Sequence, residues 1–292
     1  MKLFGATGGL IRGQTPFICG GNDRSNMKKS RDCYNLNETG RWTKDTTAIL
    51  NTITTPFGWS NTGSVVIDNN LVVSGYFNNS GPFLTSFELV SPNRRPKSLK
   101  VRLSLELYSH CMVKWDSETF MVIGGRQNTK KNSRIRAETI FINIRTNTLK
   151  NGPPMNITRY AFACGEMKVQ GKSYIVVSGG VGQAGVQLLN KGKIAQGWQK
   201  GKLINKINHL LYIFILGPDL PFEVSYHQMV ASPNKRYLYA MGGSIGFRKE
   251  MYKLICTGTI DTCKWTEISG GLKRYYFVAI PIPNALAHKL CN

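Results

Sequence analysis

Short apolar runs separated by polar turns make up most of the chain, and one kind of run recurs. Ser173-Tyr-Ile-Val-Val-Ser-Gly-Gly180 is a β-branched segment that stops on two glycines. Close variants are Phe17-Ile-Cys-Gly-Gly21, Leu71-Val-Val-Ser-Gly75, Phe120-Met-Val-Ile-Gly-Gly125 and Tyr237-Leu-Tyr-Ala-Met-Gly-Gly243. Brief apolar runs bounded by turn residues predict buried strands rather than helices. The residue before the last glycine falls at 20, 74, 124, 179 and 242, giving intervals of 54, 50, 55 and 63 residues. One period near 50 along the whole chain predicts a propeller or solenoid, not a two-domain enzyme.

Each unit repeats the same internal order. A first apolar segment, often opened by an aromatic, is Tyr108-Ser-His-Cys-Met-Val113, Tyr160-Ala-Phe-Ala-Cys164 or Tyr226-His-Gln-Met-Val230. A polar turn such as Asp116-Ser-Glu118 follows, then the run that ends in glycine. A third strand comes after a variable loop: Cys33-Tyr-Asn-Leu36, Ser86-Phe-Glu-Leu-Val90, Thr139-Ile-Phe-Ile-Asn143, Val186-Gln-Leu-Leu189 or Met251-Tyr-Lys-Leu-Ile255. Three units then reach a tryptophan, at Trp42, Trp198 and Trp265. This order gives four short strands per unit. The glycine pair after an apolar strand, the later aromatic and the tryptophan resemble the kelch repeat, as do the Gly152-Pro-Pro-Met155 and Gly217-Pro-Asp-Leu-Pro221 segments. Two units depart from that pattern. The second has Ser74-Gly75 and no tryptophan, and the third has Leu149 near the tryptophan place.

The resemblance implies an all-β kelch-type β-propeller over residues 1–292, each blade a four-stranded antiparallel sheet. The units run roughly over 4–50, 57–103, 107–155, 158–221 and 225–270. Five blades are visible; either the ring is a small one or Phe4-Gly-Ala-Thr-Gly-Gly-Leu10 is the remnant of a sixth, the reading favoured by the family's usual six or seven. The first unit shows little room for its own first strand before Thr15. Residues 274–283 therefore read as a strand that closes the N-terminal blade and hides a sheet edge. The long fourth interval contains an insert at roughly 201–215. Glycines in such blades permit close backbone approach, and the tryptophans and tyrosines fill the space between sheets.

Charge adds a partner class. Lys and Arg total 38 against 16 Asp and Glu, a formal net charge of +22 that attracts polyanions. The loops 22–32, 126–138 and 244–250 carry Arg24, Lys28, Lys29, Arg31, Arg126, Lys130, Lys131, Arg134, Arg136, Arg248 and Lys249. That is 11 basic residues in 31 positions, about 2.7 times the density of the whole chain, 38 in 292. In a propeller these loops share one face, the face on which kelch-type proteins commonly bind partners. The expected partner is a protein with an acidic motif or a sulfated glycan.

No enzyme signature accompanies the charge. His110, His209, His227 and His288 form no H-E-x-x-H, and no C-x-x-C pair is present, so neither a metal nor a cofactor is indicated. His110 and His227 occupy matching places and read as packed strand histidines. Glu106, in the alternating VRLSLEL, reads as a solvated strand position, and Glu88 lacks an obvious carboxylate partner. Cys111 and Cys164 read as strand packing rather than as nucleophiles. The expectation is a non-catalytic module with no small-molecule substrate. The alternative is an extracellular carbohydrate-active or galactose-oxidase-like enzyme, for which a copper site cannot be assembled from these residues.

Compartment rests on cysteine. Of seven cysteines, Cys19 with Cys33 and Cys256 with Cys263 are local disulfide candidates, which favour an extracellular over a cytoplasmic location. No signal peptide is visible. The longest apolar run, Leu210–Leu216, is too short to span a membrane, so no transmembrane segment is expected.

Overall fold

In the computed structural model the described residues are 3–23, 29–51, 63–76, 84–128, 133–181, 185–200, 219–244, 250–268, 278–282 and 287. The fold is all-β and of the propeller class, with five antiparallel blades, each of consecutive strands paired in sequence order. The chain divides into two compact units, Met1–Gly152 with Tyr276–Asn292, and Pro153–Tyr275.

The first unit holds three blades. Blade one comprises Thr7–Ile11, Thr15–Cys19, Asp32–Leu36 and Trp42–Ile49. Blade two comprises Ser64–Ile67, Asn70–Tyr76, Thr85–Val90 and Lys97–Leu103. In blade three the first strand is broken into Glu106–Tyr108 and Cys111–Lys114, followed by Thr119–Asn128, Ser133–Asn143 and Thr148–Asn151. The second unit holds blade four, Ala163–Val169, Lys172–Ser178, Val186–Asn190 and Trp198–Lys200. Its blade five comprises Gln228–Ala231, Leu238–Met241, Met251–Cys256 and Cys263–Ile268.

The middle strands read as unbroken apolar runs because both of their faces are covered. Successive strand residues point to opposite faces. Leu71 and Val73 join Phe17, Leu50 and Val90 in the core between blades one and two. Val72, one residue along, joins Phe87, Phe120 and Ile142 in the core between blades two and three. Phe87 and Phe120 meet edge to face, ring centroids 5.3 Å apart. In the second unit Met167, Tyr174, Val176 and Leu188 pack with Met229, Leu238 and Leu254 in the same manner.

The N-terminal blade corrects one expectation. Thr7–Ile11 is its own first strand, paired residue by residue with Thr15–Cys19. The segment read as the remnant of a sixth blade thus belongs to blade one. Its glycines look like a turn, yet a Cβ on Gly9 would lie 2.3 Å from Val66 Cγ2 of blade two. The strand is glycine-rich because the neighbouring blade crowds it. Residues 278–282, the described part of the expected closing strand, are irregular. The expected insert at 201–215 lies outside the described residues.

VRLSLEL is also divided differently from its pattern. Lys97–Leu103 ends blade two, and Glu106 opens blade three as a half-buried residue rather than a solvated one. Trp198 is buried, its Nε1 donating to Pro153 O at 2.9 Å, and Trp265 is partly buried on two clusters of blade five. Trp42 instead lies exposed at the start of an outer strand.

Asp45 ties blade one to blade two. Its Oδ1 accepts from Thr47 N and Ala48 N, both at 2.9 Å. Its Oδ2 accepts from Asn93 N at 2.6 Å and Asn35 Nδ2 at 3.3 Å. Desolvation pushes this carboxyl up, but the four donors outweigh it and hold it below its usual value. Asp45→Asn places an amide donor against at least one of these N–H groups. The expected loss is about 2–4 kcal/mol, read as a lower urea midpoint with an unchanged m-value.

Candidate functional site

Four second strands run into a glycine pair, which lies within the strand in blade three and after its end in the other three blades, and all four pairs bend alike. Their φ values are 68° and 90° at Gly20 and Gly21, 51° and 101° at Gly124 and Gly125, 63° and 111° at Gly179 and Gly180, and 67° and 118° at Gly242 and Gly243. Asp68 and Asn69 also hold successive positive φ, at 45° and 58°, but the second residue of each glycine pair lies at 90–118°, where a side chain is strained, which explains the pair. Blade two, with Ser74-Gly75, does not bend. Its strand runs on to Tyr76, and Ser74 donates from both N and Oγ to Gly63 O, at 3.2 and 3.0 Å.

Each first strand is approached through a second turn that propensity does not announce. Ser109, Ala161 and Tyr226 hold φ of 50°, 56° and 57° at matching places. Tyr160 and Tyr226 therefore lie in the turn, with regular strands beginning at Ala163 and Gln228, whereas Tyr108 ends the short strand Glu106–Tyr108 and the turn breaks that first strand before Cys111. In the second unit the two kinds of turn clasp. Gly180 N donates to Val224 O at 2.8 Å, Tyr226 N to Ala161 O at 2.7 Å and Ser244 N to Ser225 O at 2.9 Å.

The loops launched by the glycine pairs carry the basic residues. In blade one, Lys29 bridges Asn22, and Arg31 Nε donates to Leu50 O while its own carbonyl accepts from Leu50 N. In blade three the second and third strands continue past Gly125 as a hairpin. Arg126 lies with its guanidinium carbon 5.9 Å from the centre of the Tyr108 ring, and its Nε donates to Ser133 Oγ. Arg136 pairs with Glu138 at 2.8 Å and donates to Gln127 Oε1 at 3.1 Å, while Arg134 is exposed. Arg24, Lys28, Lys130, Lys131, Arg248 and Lys249 lie outside the described residues.

Sequence reading marked His110 and His227 as packed histidines but did not find the buried Arg159 behind these turns. Arg159 is 1% exposed. Its Nη1 donates to Gly179 O at 2.6 Å, and its Nε and Nη2 have no partner among the described residues. Burial pulls this guanidinium down to about 10, with the Asp219 carboxylate opposing. His227, in the same clasp, shares a hydrogen bond of 3.0 Å between its Nε2 and Ser178 Oγ. Burial first, and then the Arg159 charge, push its imidazole down to about 3. Burial likewise pushes His110 down to about 4, with a backbone hydrogen bond to Leu107 opposing. The signal that existed was positional: His110, Phe162 and His227 occupy one place in the repeat.

Buried carboxylates serve blade packing. Glu88 Oε2 accepts from Asn51 N at 3.0 Å, linking blade two to the end of blade one. Glu166 of blade four is gripped by Lys191 at 3.2 Å and by Lys235 from the turn of blade five. Desolvation raises this carboxyl, and the two lysines bring it below its usual value.

Cys19 and Cys33 are disulfide-bonded, S–S 2.05 Å, as are Cys256 and Cys263 at 1.90 Å, each pair facing across neighbouring strands. Cys111 and Cys164 are also in disulfides. Among the described residues no helix is long and apolar enough to cross a membrane. No protein-family model matches the chain. No curated protein matches it either.

Proposed function

We propose that this chain is a secreted, non-catalytic binding module of kelch type, whose basic loops take an acidic protein motif or a sulfated polyanion. The observation that carries the reading is the coincidence of charge with the turns that launch the loops. Lys29 and Arg31 follow the glycine pair of blade one, and Arg126, Arg134 and Arg136 follow that of blade three. Arg126 is held over Tyr108 rather than left free, a pairing that lowers the entropy lost on binding an anion. Kelch membership is supported by the repeat itself: five units in phase, four of them with a doubly left-handed glycine pair. The extracellular assignment is supported by the two local disulfides, which persist in oxidising compartments.

Changing Arg126, Lys130, Lys131 and Arg134 together to Ser is expected to weaken binding to heparin or to an acidic peptide by at least about tenfold. Matched changes at Lys168 and Lys172, in the first hairpin of blade four, are expected to leave binding unaltered. Equal elution of the two variants from a heparin column would overturn the reading.

A further inference from the structure

We propose that the outer edge of Ser133–Glu138, in the hairpin of blade three, binds an extended peptide of alternating acidic and apolar residues by adding it as a further strand. The proposal rests on the basic-loop reading above and narrows it to one edge, one backbone geometry and one side-chain pattern.

The hairpin is where blade three exceeds its neighbours. Its strands span Thr119–Asn128 and Ser133–Asn143, ten and eleven residues, against seven or fewer in the second and third strands of the other blades. Past Gly125 the inner side of Ser133–Arg136 is paired with Gly125–Asn128, which in turn pairs with Glu106–Tyr108. The outer side is different. The fourth strand, Thr148–Asn151, covers only Ile140–Asn143, and Gly152 N reaches Thr139 O. Among the described residues no strand pairs the outer side of 133–138. Within Ser133–Arg136 every second residue therefore presents its N–H and C=O away from the hairpin, the template that strand addition uses; beyond it the register shifts, and Ala137 N donates to Glu138 Oε2 at 3.0 Å.

Side-chain parity then sets what fits. Residues directly opposite in a sheet share a face, and the face alternates along the strand. Tyr108, Arg126 and Ile135 form one cross-strand row, and Leu107, Gln127 and Arg134 form the next, on the other face. Ile135 is 39% exposed, a β-branched residue presented at the edge. Arg134 and Arg136 flank it on the opposite face. A strand laid along this edge meets Ile135 with one side chain and the exposed Arg134 with the next, while Arg136, on the other side, is shared with Glu138. The complementary sequence is acidic–apolar–acidic. A second copy of this chain is the wrong occupant, because it would bring Arg134 and Arg136 against their own equivalents.

The test compares three probes on the intact chain by isothermal titration: a capped octapeptide alternating Glu and Val, its block isomer with four Glu followed by four Val, and a heparin octasaccharide. The alternating peptide is expected to bind at least about tenfold more tightly than the block isomer, which has the same charge. N-methylation of alternate residues is expected to abolish its binding in one of the two possible frames and not in the other. It should also slow amide exchange within 133–138. Arg134→Glu should remove alternating-peptide binding while leaving the far-UV circular dichroism unchanged. Equal affinity for the two peptides, or indifference to N-methylation in both frames, would overturn strand addition and leave the polyanion reading standing. Heparin binding without peptide binding would do the same. Failure of all three probes would remove both, and a dimer broken by Arg134→Glu would replace the peptide with a second copy.

Discussion

Gly179→Ala is expected to cost about 3–5 kcal/mol, whereas Gly13→Ala costs about 1. Both glycines are left-handed, at φ of 63° and 67°, so backbone strain alone does not separate them. Surroundings do. A Cβ on Gly13 meets nothing within 4 Å, because that glycine sits in the open turn after Thr7–Ile11. A Cβ on Gly179 would lie 2.4 Å from Val224 O and 2.8 Å from His227 Cε1. A side chain can step aside; a backbone carbonyl that Gly180 N holds at 2.8 Å cannot. Accommodating one methyl group means opening the clasp between blades four and five, together with the bond from Arg159 to Gly179 O. Thermal and urea unfolding of the two variants would check this. Equal midpoints for Gly179→Ala and Gly13→Ala would show that the clasp does not hold the two blades together.

The same contrast explains which parts of the structure were legible beforehand. The glycine pairs were visible because their requirement is chemical: a φ of 90–118° at the second residue strains any side chain, so the signal survives in every unit that bends. Ser74 is informative for the same reason, since the one unit without the pair is the one whose strand runs straight through. The middle strands were legible because burial on both faces forces an unbroken apolar run. Thr7–Ile11 was not, because crowding by Val66 demands glycine where strand propensity disfavours it, and packing overrode propensity. The turn at Ser109, Ala161 and Tyr226 was hidden because three ordinary residues adopt it, and at Ala161 and Tyr226 the clasp holds it rather than their own preference. For the candidate site, charge density pointed to the loops after the glycine pairs. It could not show that Arg126 is fixed against Tyr108, that Arg136 is occupied by Glu138, or that the edge beside Arg134 lacks a covering strand among the described residues. Those are consequences of register, and register is set by turns that composition does not reveal.

Acid is expected to unfold the protein in two stages, and the first belongs to the buried histidines. His110 and His227 are held down to about 4 and about 3, against an ordinary value of 6.5. A base whose folded value is depressed stays neutral in the fold and takes up a proton on unfolding. Its contribution is complete above pH 6.5 and drains away as the pH falls toward the folded value. Asp45 and Glu166 act in a lower window. Their folded values lie below the ordinary 3.8 and 4.5, so their contribution is present above those values and lost only beneath them. Between pH 6.5 and 5 the slope of stability therefore reports histidine. Each buried imidazole adds close to one proton of uptake on unfolding near pH 5, equivalent to about 1.4 kcal/mol per pH unit. His110→Phe is the decisive variant, because Phe162 already fills the matching place in blade four. It removes a fully buried imidazole and replaces it with a side chain this turn accepts elsewhere. The expected result is a slope between pH 6.5 and 5 shallower by about one proton, with stability at pH 7 within about 1.5 kcal/mol of the parent. An unchanged slope would mean that His110 is protonated in the folded protein, and that the turn before Cys111 is open to water.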